Sequence, residues 1–492
     1  MSDEPRDDES DLESPEEIAD AAADSRRGPF TSVRKLERAR ELARSLAVAQ
    51  TNAGLYPLTH PAVGQALEDL VAAVRGLADL GFAVVTVNVY KNTLFIEDHV
   101  LPEESVTYRK LIDELLARGI SALSIAKDFD PSDAAALVDL LAADVTDAAR
   151  AREFLEDRGV TRVTVAESTT LDETAREAEG RENKARARQV YDQGLEAMRD
   201  IETRVKLGKV FEVEPLQKVV SSLLDSLFRD PAAVLGLTAI KSHDEYTLNH
   251  SINVCILSLS LGASLGLDTG GLRSLGLSAL LYDLGKVRIP EDILNKEGPL
   301  TADEWQIVKS HATEGADLLK RIQLVDQMPM VVAYEHHQRH DLQGYPLPKE
   351  HQEQHLFSKV VALCDAYDAM TTRRPFRREI RPDKALAVLM QGRGKAYDPS
   401  VTKALVAMLG IYPMGAVVRL EDASTGVVFR VNRDDLLRPR VKVLIDAEGR
   451  WLEAPVVIDL RIVDAASGRF EREIAECIPA VEAGIGDVWQ YL

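Results

Sequence analysis

LLYDLGKVRIPEDILNK, residues 280–296, is the stretch on which the reading of this chain turns. Asp283 closes the apolar run LSALLY (277–282), so a helix carrying that run buries its acid. A buried carboxylate costs on the order of several kcal/mol unless a cation offsets it. Two cations fit: Lys286, three residues on, or a metal ion. A metal site would want an imidazole directly before the acid, and Tyr282 stands there. The chain therefore reads either as a working metallohydrolase with one altered ligand or as a former one that now only binds.

Histidine placement points the same way. Eight of the ten histidines, His243, His250, His311, His336, His337, His340, His351 and His355, fall between 243 and 355. A solitary histidine is usually a surface or half-buried residue, but eight in apolar, aspartate-containing context call for another account. In HDEYTLNHSINVCILSL, His250 opens an apolar helical face with Val254 and Leu257. WQIVKSHATEGADLL puts His311 beside small residues. In VVAYEHHQRHDLQGYP, His336 and His337 are adjacent, so both reach one ion only near a helix end. VVALCDAYDAMTTRRPFR buries Asp365 and then delivers Arg373, Arg374 and Arg377.

Around this core the chain divides by pattern. Residues 1–32 read as an acidic tail without a fold, since the first 27 carry eleven acids against three arginines. Residues 33–166 mix helical spacing with alternating runs such as FAVVTVNVYKNTLFIED, broken by a KN turn. In the same region DPSDAAALVDLLAAD opens with an aspartate cap and a proline. Together they predict a small α+β regulatory or dimerising domain. Residues 167–213 are charged and helix-favouring, a linker helix whose narrow apolar stripe would pair with a second copy. Residues 214–410 read as helical throughout. Residues 411–492 switch to short alternating runs, AVVRLED, GVVFRVN, RVKVLID and PVVIDLRIVD, a small antiparallel β extension.

Composition narrows the partners. A net charge of −21 disfavours broad binding to nucleic acid or to an anionic membrane, while leaving room for a small anion held by a few arginines. No run approaches the roughly 18 to 20 apolar residues of a membrane span, and the start lacks a signal-peptide pattern, so a cytoplasmic location is expected. Cys255, Cys364 and Cys477 lie in apolar segments without CxxC spacing and read as buried thiols.

Six ordered motifs between about His243 and Pro399 carry a resemblance: HDEYTLNHS, YDLGK with RIPEDILNKEGPLT, KSHATEG, HHQRHDLQGYP, CDAYDAMTTRRPFR and YDPS. They resemble the HD-GYP family, a branch of the HD superfamily of metal-dependent phosphohydrolases associated with hydrolysis of cyclic di-GMP. The resemblance implies a mainly α, HD-GYP-type helical bundle holding one or two divalent or iron-type ions, Fe or Mn. Its matching ligands are His250, Asp283, His311, His336, His337 and Asp365, with Asp283 bridging. His311, His336, His337 and Asp283 would build one ion's site; His250, Asp283 and Asp365 would build the other, short of the histidine that Tyr282 replaces. Tyr282 then either ligates as a phenolate or packs in the core; Tyr246, four residues before His250, could also approach that ion. Lys286, acting with Asp283 at the reaction centre, and Arg374, Arg377 and Tyr345 are implied as groups facing the substrate's phosphates.

Three departures stand out: Tyr282 itself, Gln338 where a glutamate is usual, and Leu342 where the pattern has glycine. The last is expected to stiffen the loop before the GYP triplet, because glycine's access to positive φ is lost. The expected function is a metal-dependent phosphohydrolase of HD-GYP type that acts on or binds cyclic di-GMP, its activity reduced by the altered ligand. The rival is a catalytically impaired module that binds metal or nucleotide and relays to a signalling partner. A third reading keeps hydrolysis with another nucleotide as substrate.

Overall fold

Every residue from Leu248 to Gly262 in Tyr246–Ser264, and from Leu275 to Leu281 in Thr269–Leu281, is buried, and the two helices pack side by side. The Asp268 carboxylate caps the second helix by accepting from the Gly271 N–H. Around this pair stand Glu214–Arg229, His311–Arg321, Met328–Glu335, Leu356–Thr371, Pro382–Gln391 and Pro399–Leu409. Glu214–Arg229 shows the contrasting amphipathic case: Leu216, Val219, Val220, Leu223, Leu224 and Leu227 recur at helical spacing and are buried. The fold is mainly helical, as the sequence predicts.

The computed structural model describes all residues except 1–12, 24–31, 58, 91–92, 98, 144, 167–169, 241–245, 323–325, 348–352, 373–378, 433–434 and 465–468. It divides into two compact units, one of residues 1–26, 179–460 and 472–492, the other of 27–178 with 461–471. Among the described residues no helix is long and apolar enough to cross a membrane.

In the second unit, β1 (Val84–Tyr90), β2 (Thr93–Ile96), β3 (His99–Val100), β4 (Ala122–Ala126) and β5 (Val163–Ala166) form an antiparallel sheet of order β3-β2-β1-β4-β5. Helices Ser32–Leu55, Pro61–Ala78 and Pro131–Ala142 complete its α+β core. The expected cap is present: Asp130 and Asp133 form a capping box around Pro131. The expected KN turn falls on residues 91–92, outside the described residues.

Three differences from the sequence reading stand out in the first unit. Residues expected to lack a fold form a helix at Pro15–Ala23, with Ile18 and Ala22 in the main core and Arg393 donating to Glu13 at 2.8 Å. Counting acids missed that Ile18 and Ala22 stand four apart on one helical face. The C-terminal sheet shares the unit and its apolar core with the helices, rather than standing apart. It has order β10-β6-β7-β8-β9, with β6 Val417–Leu420, β7 Thr425–Arg430, β8 Arg440–Ile445, β9 Trp451–Asp459 and β10 Ile474–Ile478. β10 was not among the predicted runs; a register shift between Ile474 and Glu476 interrupts its alternation.

The third difference is the linker helix, Thr170–Lys206. Its stripe, Ala187, Val190, Tyr191, Met198, Ile201 and Val205, is buried in the core of its own chain's helical unit. The apolar spacing read as a surface for a second copy is satisfied in cis over these positions.

Candidate metal centre

The buried helix pair and its neighbours bring the six predicted ligands into two adjoining groups. His311, His336 and His337 offer ligand atoms within 4.8 Å of one another, and so do His250, Asp283 and Asp365. Asp283 links them: its Oδ1 lies 3.5 Å from His311 Nε2 and 3.8 Å from His336 Nε2. The first group sits at element ends. His311 is the first residue of its helix, His336 caps the end of Met328–Glu335 with His337 following, and Asp283 starts a short 3-10 turn. Adjacent histidines meet there because the regular helix has stopped, as their spacing requires.

The tautomers in this first group follow from the backbone. His311 Nδ1 lies 2.6 Å from the Val308 carbonyl and His336 Nδ1 2.9 Å from that of Ala333, so each donates there as an N–H. Both Nε2 atoms are then lone pairs, 3.1 Å apart. Burial pushes all three imidazoles down in pKa, His336 to about 4 and His337 well below its ordinary value, so no ring proton relieves that contact near neutral pH. Asp283 Oδ1 is buried without a hydrogen-bond partner, while Oδ2 accepts from Lys286 Nζ at 2.5 Å. Burial opposes ionisation of Asp283, yet the Lys286 ammonium outweighs it and keeps the group ionised. Facing lone pairs beside an unpaired carboxylate oxygen form a donor set that fits a cation. Lys286 thus takes one oxygen of Asp283 and leaves the other for an ion; the two cations weighed from the sequence are not alternatives.

The second group is arranged differently. His250 is held within Tyr246–Ser264 and Asp365 within Leu356–Thr371, both regular helices. His250 Nε2 lies 2.8 Å from Asp365 Oδ1, and Nδ1 lies 2.7 Å from Asp368 Oδ2. Burial works against a charged imidazole here too, but the two carboxylates outweigh it and hold the His250 pKa at about 9. Tyr282, fully buried, donates its hydroxyl to Asp365 Oδ1 at 2.9 Å, with its oxygen 3.0 Å from His250 Nε2. The phenol therefore reaches the ligand atoms and is more than core packing.

Other candidates are placed less closely or not at all. Tyr345 stacks on His337, with centroids 4.6 Å apart. Arg374 and Arg377, with Arg373, lie outside the described residues, as do His243, His351 and the side chain of Tyr246. His340 lies 3.8 Å from Asp398, and His355 caps Leu356–Thr371, so neither belongs to the ligand groups. Leu342 was expected to forfeit positive φ; instead it adopts φ 63°, keeping the backbone shape a glycine would have at a strain cost. Gln338 uses what a glutamate lacks, donating its amide to the Pro346 carbonyl at 3.1 Å.

Asp368 and Asn253 were missed from the sequence. Asn253 donates to Asp368 Oδ1 at 3.1 Å. The spacing of Asp365 and Asp368, three apart on one helix, was the available signal.

Comparison with known proteins places this geometry. A family described as "HD domain" matches residues 236–401, which contain all six ligand candidates. Residues 236–401 are an HD domain. A second family, "KOW domain associated with HD domain", matches residues 417–462. Cyclic di-GMP phosphodiesterase PA4108 of Pseudomonas aeruginosa is 36% identical over 255 residues, 52% of this chain and 61% of that one. The cyclic di-GMP phosphodiesterase response regulator RpfG of Xanthomonas campestris pv. campestris is 36% identical over 143 residues, 29% of this chain and 38% of that one. The 3'3'-cGAMP-specific phosphodiesterase 3 of Vibrio cholerae is 29% identical over 174 residues, 35% and 38% of the two chains. The chain spans less than two-thirds of the length of these curated relatives. The resemblance to the HD-GYP family drawn from the motifs is sustained by these matches.

Proposed function

We propose that the HD domain is a metal-dependent phosphohydrolase site for a cyclic dinucleotide, cyclic di-GMP being the first to test. The observation that carries the reading is the pair of facing Nε2 lone pairs, 3.1 Å apart, beside the unpaired Oδ1 of Asp283. His311, His336, His337 and Asp283 would hold one ion; His250, Asp283 and Asp365 would hold a second, iron or manganese suiting both. Bound there, the ions supply an activated water and neutralise phosphate charge. Lys286 keeps Asp283 ionised and presents a half-exposed ammonium to an incoming phosphate. Arg374, Arg377 and Tyr345 complete the anion-facing set, the first two by family correspondence. The names of the relatives support the substrate class, and cyclic GMP-AMP is the alternative within it.

A second reading is favoured by Tyr282. Its hydroxyl lies between His250 and Asp365, where the second ion would bind, and satisfies both in hydrogen bonds. On this reading the chain binds one ion, recognises the nucleotide and signals to a partner protein without turnover. Metal content per chain and cyclic di-GMP turnover, measured for the natural protein and for Tyr282→His, separate the two. Two ions with turnover in the natural protein would defeat the impaired reading; one ion without turnover, both restored by the histidine, would establish it. No metal in either form would defeat both.

A further inference from the structure

We propose that Tyr191, on the linker helix, is a positioning residue for the metal centre, acting through Asn253 and Asp368 on His250. The inference rests on the metal reading above. It concerns a residue outside the segment that matches the HD domain.

The chain of contacts is continuous and buried. Tyr191 OH lies 3.2 Å from Asn253 Oδ1 and 3.1 Å from Asn249 Oδ1, its single phenol hydrogen shared between the two amide oxygens. Asn253 passes the constraint on. With its oxygen turned to Tyr191, its amide N–H points at Asp368 Oδ1, 3.1 Å away. Flipped, it would set its oxygen against the Asp368 carboxylate and lose that hydrogen bond, so the carboxylate sets which way the amide lies. The tyrosine hydroxyl then holds the amide in place by donating to the oxygen this orientation presents. Asp368 Oδ2 accepts from His250 Nδ1 at 2.7 Å. That bond keeps the proton on Nδ1 and leaves Nε2 as the nitrogen that can ligate, the arrangement by which a carboxylate orients a metal-binding histidine. Tyr191, Asn253, Asp368 and His250 are each no more than 3% exposed, so water does not compete for these bonds.

A purely packing role for Tyr191 is the competing account, since its ring belongs to the same apolar core as Ala187, Val190 and Met198 of its helix. Tyr191→Phe keeps the ring and removes only the hydroxyl. Met198→Ala disturbs the same helix face without touching the relay.

The test is a manganese(II) titration of the full chain, reading the ion whose binding is lost in His250→Ala, in the natural protein or, where that ion appears only there, in Tyr282→His. Asp368→Asn is expected to weaken that ion by about 10- to 100-fold, the usual range for an outer partner of a ligand, and Tyr191→Phe by about 3- to 10-fold. Met198→Ala is expected to lower the melting temperature while leaving affinity within about twofold. Tyr191→Phe binding as tightly as its parent while Asp368→Asn binds weakly would overturn the role of Tyr191, with the metal reading intact. The same follows if Met198→Ala weakens the ion as much as Tyr191→Phe does. If no ion depends on His250 in either background, the relay is overturned and the three-histidine site stands. If neither protein binds manganese, the metal reading itself has failed.

Discussion

The two halves of the metal centre hold similar groups and treat them in opposite ways. The three-histidine half is built on element ends and close backbone approaches, and it leaves lone pairs facing each other with a carboxylate oxygen unpaired. The His250 half is built within regular helices, and Asp365, Asp368 and Tyr282 meet the imidazole in hydrogen bonds that need no ion, with Asn253 donating to Asp368 behind it. The first half stores an electrostatic need for a cation; the second has answered its need with protons. Counting ligand types does not reveal this difference, because it lies in where each proton sits.

The largest expected effect attacks the geometry of the first half. A Cβ on Gly285 would overlap the His311 carbonyl oxygen and crowd the Gly315 nitrogen, so only glycine lets the Asp283 turn pack on the His311 helix. Gly285→Ala is expected to cost roughly 3 kcal/mol or more and to abolish the three-histidine ion, since backbone must move where side chains cannot yield. Thermal melting followed by circular dichroism, with manganese titration of whatever folds, reads both. Unchanged melting and binding would show that the first half is not held by this contact.

These features were unequally legible in the sequence. His311, His336, His337 and the acid Asp283 were visible because unusual residue types recur in apolar context, and chemistry restricts what such groups can do together. Asp368, Asn253 and Tyr191 were not: each is ordinary by type, and its role comes from partners 118, 115 and 62 positions away along the chain. The helix at Pro15–Ala23 escaped because a composition count averages over two buried residues, and Leu342 because residue preference alone argues against the φ it adopts. The helices and most strands of both sheets were legible from periodicity, which needs no distant partner, whereas β10, its alternation interrupted, was not.

A smaller effect distinguishes the halves by pH. In the metal-free protein His250 holds a proton to about 9, so an ion there must displace it, and its apparent affinity should rise about tenfold per pH unit between 7 and 9. His336 is unprotonated above about 4, so the three-histidine ion should bind nearly independently of pH over that range. Stability carries the opposite sign. A folded pKa raised above the unfolded 6.5 means that His250's contribution is complete below 6.5 and is lost as pH rises through about 9. Manganese titrations at pH 7, 8 and 9 measure the two slopes; equal slopes would remove the distinction between protonated and unprotonated halves.

The smallest effect concerns strain next to the first half. Leu342, at φ 63°, stands in the loop between His337 and the Gly344-Tyr345-Pro346 triplet, its N–H donating to the Arg339 carbonyl at 2.9 Å. A side chain with a Cβ costs about 1 to 2 kcal/mol in this conformation, and glycine returns roughly 0.5 to 1 kcal/mol of that to the flexibility of the unfolded chain. Leu342 is 37% exposed, so its removal also forfeits the burial of the rest of the side chain, about 1 to 2 kcal/mol, which offsets the strain relieved. Leu342→Gly is therefore expected to change the stability of the helical unit by no more than about 1 kcal/mol in denaturant unfolding, without changing the pH slope of the His250 ion. A larger loss of stability would mean that the leucine side chain holds the loop more than its backbone strains it. The three-histidine half would then owe its shape to that side chain, rather than to the backbone contact at Gly285.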